Sequence, residues 1–191
     1  MFFKFIAYIK FLTKSTNQHG VHSPFVYNLV TKCFYNKEKK TSSPSIISIV
    51  KQNKPFPVTL RIAKLLNRLI PYLDCKTVLV LGDSYDTIHQ ILAKENTISI
   101  TNAIENCSHY DLIYLDILTL NESLDFFKKI LAKTHNDTVI IINSLYESND
   151  TLKVWEKIKL LSSIKVTIDT FHLGFVFLRK EQVKEHFTIR L

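Results

Sequence analysis

The sequence predicts an α/β protein: a mainly parallel sheet covered by helices on both faces and finished by an antiparallel hairpin. Short apolar runs recur at 77–82, 111–116 and 138–143, each followed by a stretch of helical periodicity. These runs are apolar almost throughout instead of alternating, as expected of strands buried on both faces. Only three glycines and five prolines occur in 191 residues, which argues against a turn-rich all-β protein and against a disordered chain.

Residues 2–14 read as a helix without an acid. On a helical wheel Phe2, Phe5, Ile6, Ile9 and Leu12 share one side, with Lys4, Lys10 and Lys14 opposite. This helix is expected to dock on its own domain. The alternative is a helix for an anionic membrane surface or a protein partner, since Phe3 and Phe11 lie among the lysines. The stretch is too short for a bilayer span, and lysines interrupt it as a signal peptide. After the turn at 17–20, Ser23 caps a helix that has Pro24 in its first turn and buries Val26, Leu29, Val30 and Cys33. The polar run 36–43 reads as a linker, and Pro44 opens a short helical or irregular piece ending near Lys54. Another helix starts at 55–57, turns Leu60, Ala63, Leu66, Leu69 and Ile70 inward, and ends close to Pro71.

Regular alternation follows: strand 77–82, helix 85–94, a weaker strand 97–101, strand 111–116, helix 121–133, strand 138–143 and helix 150–162, capped by Asn149 or Asp150. Nine residues separate Thr101 from Asp111, too few for a helical crossover, so the sheet should be truncated beyond strand 97–101. Segments 165–171 and 174–180 flank His172–Leu173 as an antiparallel hairpin, and residues 181–191 close the chain.

The net charge of +8 is uneven: residues 1–76 hold thirteen Lys or Arg against Glu38 and Asp74, whereas the rest is mildly acidic. The chain is therefore divided into a basic N-terminal helical region, 1–76, packed on an α/β domain, 77–191. Such asymmetry suits an anionic partner. No aromatic-rich β platform or glycine-rich clamp points to nucleic acid. Cys33, Cys75 and Cys107 are far apart and lack metal-ligand spacing, so they read as buried thiols of a reducing compartment. The expected location is cytoplasmic, or peripheral at a membrane surface.

The segment "TVLVLGDSYDTIHQILA" sets Gly82 at a strand-to-helix corner of the Rossmann-like kind. The segments "HGVHSPFVYNLVTK" and "VTIDTFHLGFVFLRKEQVKEHFTIRL" resemble the opening and the tail of a family of class I S-adenosylmethionine-dependent methyltransferases of Bacteroidetes-type bacteria. The likeness runs over nearly the whole chain apart from the region after strand 97–101. It implies a truncated Rossmann-like methyltransferase sheet, S-adenosylmethionine as cofactor, and a small-molecule or protein substrate. In that family the first strand ends in an acid and leucine, followed by two glycines around a Thr-Ser-like turn. Here Val80, Leu81, Gly82, Asp83, Ser84, Tyr85 and Asp86 stand there, and only Gly82 and Ser84 keep the type.

The resemblance thus implies Gly82, Asp83, Ser84, Tyr85 and Asn102 as cofactor-binding residues, with Asn102 beside the position of a ribose-gripping acid. Tyr85 either stacks on adenine or fills the space of the lost glycine. Asp116, a candidate catalytic residue, ends the third strand of the series at the edge where ligands sit. His22, in a segment expected to cover the mouth of the site, is the candidate general base; the plainer reading is that His22 and Ser23 organise a helix start. Asn143 and Ser144 stand where the family has two acids, so no divalent metal is expected. His109 and His172 have no nearby nucleophile or second ligand. The functional expectation is a methyltransferase-like protein with a degenerate cofactor loop, its methyl transfer either retained through the altered loop or lost. Its alternatives are a non-catalytic scaffold or protein-interaction module and a peripheral membrane-surface protein.

Overall fold

Strands β1 (Thr77–Leu81), β2 (Ser99–Thr101), β3 (Tyr110–Asp116), β4 (Thr134–Asn143), β5 (Val166–Asp169), β6 (Leu173–Phe177) and β7 (Glu185–Thr188) form one sheet, in the order β2–β1–β3–β4–β6–β5–β7. The computed structural model describes residues 2–36, 44–52, 58–93, 98–105, 109–117 and 124–191. Strands β2, β1, β3 and β4 run parallel. β6 is antiparallel to both β4 and β5, and β7 lies parallel to β5. The expected α/β class with a C-terminal hairpin is what forms, and β2 is the outer edge. Beyond it Ala103 and Glu105 fold back onto Tyr110, whose hydroxyl donates to the Ala103 carbonyl (3.3 Å) and accepts from the Glu105 N–H (3.2 Å).

The alternation of strand side chains sorts the core. Val78, Val80, Leu112, Tyr114, Val139 and Ile141 face one cluster. On that side lie α2 (Pro24–Leu29), its continuation as a π-helical turn at Val30–Phe34, α3 (Pro44–Gln52), α4 (Leu60–Tyr72) and α5 (Tyr85–Ala93). Leu79, Leu81, Ile113, Leu115, Ile140 and Ile142 face the other cluster, against α6 (Leu124–Leu131) and α7 (Asn149–Leu160).

Ser23 caps α2 by accepting from the Val26 N–H, with Pro24 in the first turn as expected. Thr59 caps α4, and Pro71 lies in its last turn. Two boundaries differ from expectation. β4 begins at Thr134, because Thr138 donates to the Tyr110 carbonyl (2.6 Å) and a register shift between Tyr110 and Leu112 admits the polar residues 135–137. α7 is capped by Ser148, reciprocally with Thr151, and not by Asn149 or Asp150. The expected starts at 55–57, 97 and 121, most of the linker 36–43, and Cys107 lie outside the described residues.

The largest difference concerns α1 (Phe2–Lys14). It docks through Ala7 and Phe11, while Phe2, Phe5 and Ile9 are 78%, 62% and 47% exposed. The apolar side expected to dock is the one turned outward. Small Ala7 lets the helix approach closely, and Phe11 joins Phe171 (5.5 Å between ring centres) and Tyr146 (6.4 Å).

Candidate functional site

β1 delivers the chain to Gly82, whose φ of 108° lies in the left-handed region that favours glycine. The turn brings buried Ser84 under the ends of the neighbouring strands. Its hydroxyl donates to Asp116 Oδ2 (3.0 Å), while Asn143 Nδ2 donates to Asp116 Oδ1 (2.9 Å). One carboxylate therefore laces the ends of β1, β3 and β4. Two residues before Asp116, on the same face, Tyr114 is fully buried, and its hydroxyl makes no well-formed hydrogen bond among the described residues. Burial pushes its phenol well above the usual range and the Asp116 charge pushes the same way, outweighing the opposing approach of the Ser84 hydroxyl.

Around this knot, Tyr85 is half-buried, 5.6 Å from the His89 ring, and packs on the core. Asp83 and Asp86 are exposed. Val80 lies wholly inside the core. Asn102, just past β2, is exposed, in a turn where Thr101 Oγ1 accepts from the Ala103 N–H (3.2 Å). Asn102 thus stands at the end of the strand next to the Gly82 corner.

His22 belongs elsewhere. Its neighbour Ser23 donates to Gln182 (3.5 Å), and Phe25 meets Phe177 edge-on at 5.1 Å, with Arg179 over its ring at 4.5 Å. Phe177 pairs with Val139 and Val166, near the amino ends of β4 and β5. The structure therefore places the start of α2 at the edge opposite Asp116, and exposed His22 does not reach the Gly82 corner.

Sequence reasoning missed the aromatic group over the ends of β4, β5 and β6. Phe171 takes a φ of 71°, held by its N–H donating to Asp169 Oδ1 (2.8 Å), and stacks on Tyr146 at 4.6 Å and edge-on with Tyr8 at 4.9 Å. Tyr146 donates to Asp169 Oδ2 (2.5 Å). Burial holds the Asp169 carboxyl above its ordinary value despite these hydrogen bonds. The Asp-Thr pair at 169–170 was the local sign of such a side-chain-to-backbone turn. No group of three His, Cys, Asp or Glu among the described residues is arranged to hold a metal ion.

Solved structures share this architecture. A putative caffeoyl-CoA O-methyltransferase from Staphylococcus aureus superposes with a TM-score of 0.56 at 15% identity, over 70% of this chain and 92% of that one. An O-methyltransferase from Bacillus cereus in complex with SAH (S-adenosylhomocysteine) gives 0.52 at 13% identity, over 87% and 99%. A SAH-bound Podospora anserina methyltransferase gives 0.52 at 8% identity, over 71% and 88%. The chain has a class I S-adenosylmethionine-dependent methyltransferase-like fold. No family model and no curated protein matches its sequence.

Within this methyltransferase-like fold, the side chains at the strand ends differ from the carboxylates that the resemblance implies for a cofactor site. A sulfonium amino acid and a ribose ask for accepting carboxylates. Val80 offers none, Asn102 brings one neutral oxygen, and each oxygen of Asp116 already accepts one hydrogen bond, while the carboxylates of Asp83 and Asp86 stand exposed beside Gly82.

Proposed function

We propose that this is a methyltransferase-fold protein with a degenerate cofactor loop, which has lost methyl transfer and serves as a non-catalytic binding module. The terminal segments support descent from the bacterial family they resemble. The observation that carries the reading is the double engagement of Asp116 by Ser84 and Asn143: the acid at this corner is committed to holding strand ends together. Two lost charge-assisted contacts, each worth about 1.5–3 kcal/mol, lower cofactor affinity by roughly a hundredfold or more. Calorimetric titration with S-adenosylmethionine and S-adenosylhomocysteine should give no saturable heat below millimolar ligand. A micromolar dissociation constant for either would sink the proposal.

A second reading rests on α1, which carries no acid and turns Phe2, Phe5 and Ile9 outward on the side opposite its docked residues, while exposed Lys10 and Lys14 flank the docked side and Lys4 pairs with Glu147 (2.7 Å). We propose that this face lies on an anionic lipid surface. The chain should sediment with phosphatidylserine-containing vesicles and stay in solution with neutral ones, and changing Phe2, Phe5 and Ile9 to Ser should abolish sedimentation. Equal recovery with both vesicle types would rule it out.

A further inference from the structure

At the same edge of the sheet, on the β6 side of Asp116, two cavities share the amino-terminal half of α4. The first, about 310 Å³, has an aromatic wall of Tyr8, Phe11 and Phe171 facing Arg61, Arg190 and His172. The second, about 480 Å³, is bounded by Tyr35, Arg61, Lys64 and Arg68. Arg61, Leu65 and Leu191 border both, so the two spaces adjoin. No acidic side chain lines either one among the described residues. Arg68 is held in place by donating to the carbonyls of Cys33 (3.0 Å) and Phe34 (3.1 Å). Arg61, Lys64 and Arg190 form no ion pair among the described residues. The fold thus gathers cations around an apolar slot and leaves three of them without a carboxylate, which is the electrostatic setting of an anion site.

We infer that this paired cavity binds a small organic anion, with a flat apolar body against Phe171 and a carboxylate or phosphate on Arg61 and Arg190. Guanidinium forks match either group. The left-handed Phe171, fixed by Asp169 and stacked on Tyr146, gives the body a preformed wall. His172, whose carbonyl accepts from the Ser144 N–H (3.2 Å), ties this wall to the end of β4. Its imidazole is held below its ordinary pKa by partial burial and by Arg61 and Lys4, so it stays neutral and leaves the charge to the arginines. Leu81 pairs with Leu115, and Asn143 pairs with both Asp116 and Leu173, so the slot lies three strand spacings, about 14 Å, from the Gly82 corner. The inference does not depend on whether that corner binds a cofactor.

Calorimetry on the full chain tests it with 2-naphthoate, phenyl phosphate and the uncharged 2-naphthalenemethanol, with and without S-adenosylhomocysteine. The expected result is saturable binding of at least one anion, about tenfold or more tighter than the alcohol, and weakened by high salt. Preference for phenyl phosphate assigns a phosphate ligand, and preference for 2-naphthoate a carboxylate. Arg61→Gln and Arg190→Gln should each weaken the anion about tenfold, while Lys153→Gln, at an exposed position of α7, should not. Near-UV circular dichroism checks that the variants fold, and the salt dependence of the unaltered chain carries the test if they do not. Absence of anion binding below millimolar, equal affinity for the alcohol, or indifference to both salt and Arg61→Gln would overturn the proposal.

Discussion

A carboxylate at the carboxyl end of a parallel strand usually waits for a ligand, but Asp116 is spent on its own protein. Its two donors, Ser84 and Asn143, are 2% and 3% exposed, so removing the acceptor strands two buried polar groups. Asp116→Ala should therefore destabilise the fold by about 2–4 kcal/mol, read by urea denaturation, with Asp116→Asn costing less because it keeps one acceptor. A residue kept for ligand binding behaves oppositely, and no loss of stability in Asp116→Ala would refute the structural role. Tyr114, beneath the knot, tests the converse. Its buried hydroxyl lacks a well-formed partner, so Tyr114→Phe should raise stability by about 1 kcal/mol. A drop in the melting temperature would mean the hydroxyl is satisfied.

At the scale of elements, packing decides what local pattern leaves open. Gly174 of β6 lies under the other face, where an added Cβ would meet the Trp155 ring and Leu145 at 2.9 Å. Trp155 is itself fully buried, so the ring has little room to yield. Gly174→Ala should cost about 1–3 kcal/mol, measurable as a shifted denaturation midpoint, whereas a shift within error would mean the ring moves aside freely. The central strands were legible because continuous apolar runs leave one reading, and the Ser23 cap because its partner lies three residues away. The polar His135-Asn136-Asp137 stretch hid the start of β4, since its pairing is settled by Tyr110 on another strand. In α1 the count of large side chains pointed to the wrong face: close approach needs small Ala7, and the partners Tyr146 and Phe171 lie far along the chain. The same limit applied to the sites. The Gly82–Ser84 corner is contiguous and could be read. The Asn143 donor, the far placement of His22 and the cation-lined slot each depend on segments brought together only by the fold.

For the whole molecule, the separation of charge along the chain becomes a pattern of titration with pH. Four groups set the slope of stability in acid. At Asp111 burial pushes the carboxyl up, but bonds from the Lys76 and Thr77 N–H groups, the Thr77 hydroxyl and His135 outweigh it and hold it below its ordinary value. A carboxylate lowered by folding contributes stability fully present above its unfolded pKa, about 3.9, and lost as pH falls through the folded one. His172 and His186 are lowered by partial burial and by neighbouring cations. The unfolded chain therefore takes up their protons first, and stability declines once pH falls below about 6.5. Asp169 acts with the opposite sign: its raised carboxyl binds a proton in the folded state before the unfolded one, adding stability as pH falls toward 4. The denaturation midpoint should thus fall between pH 7 and 5 through the histidines and fall again below pH 4 through Asp111. His172→Gln with His186→Gln should flatten the first decline and leave the second, whereas Asp111→Asn should lower stability at neutral pH and flatten the second. A slope between pH 7 and 5 unchanged by the histidine substitutions would place the acid sensitivity in other groups.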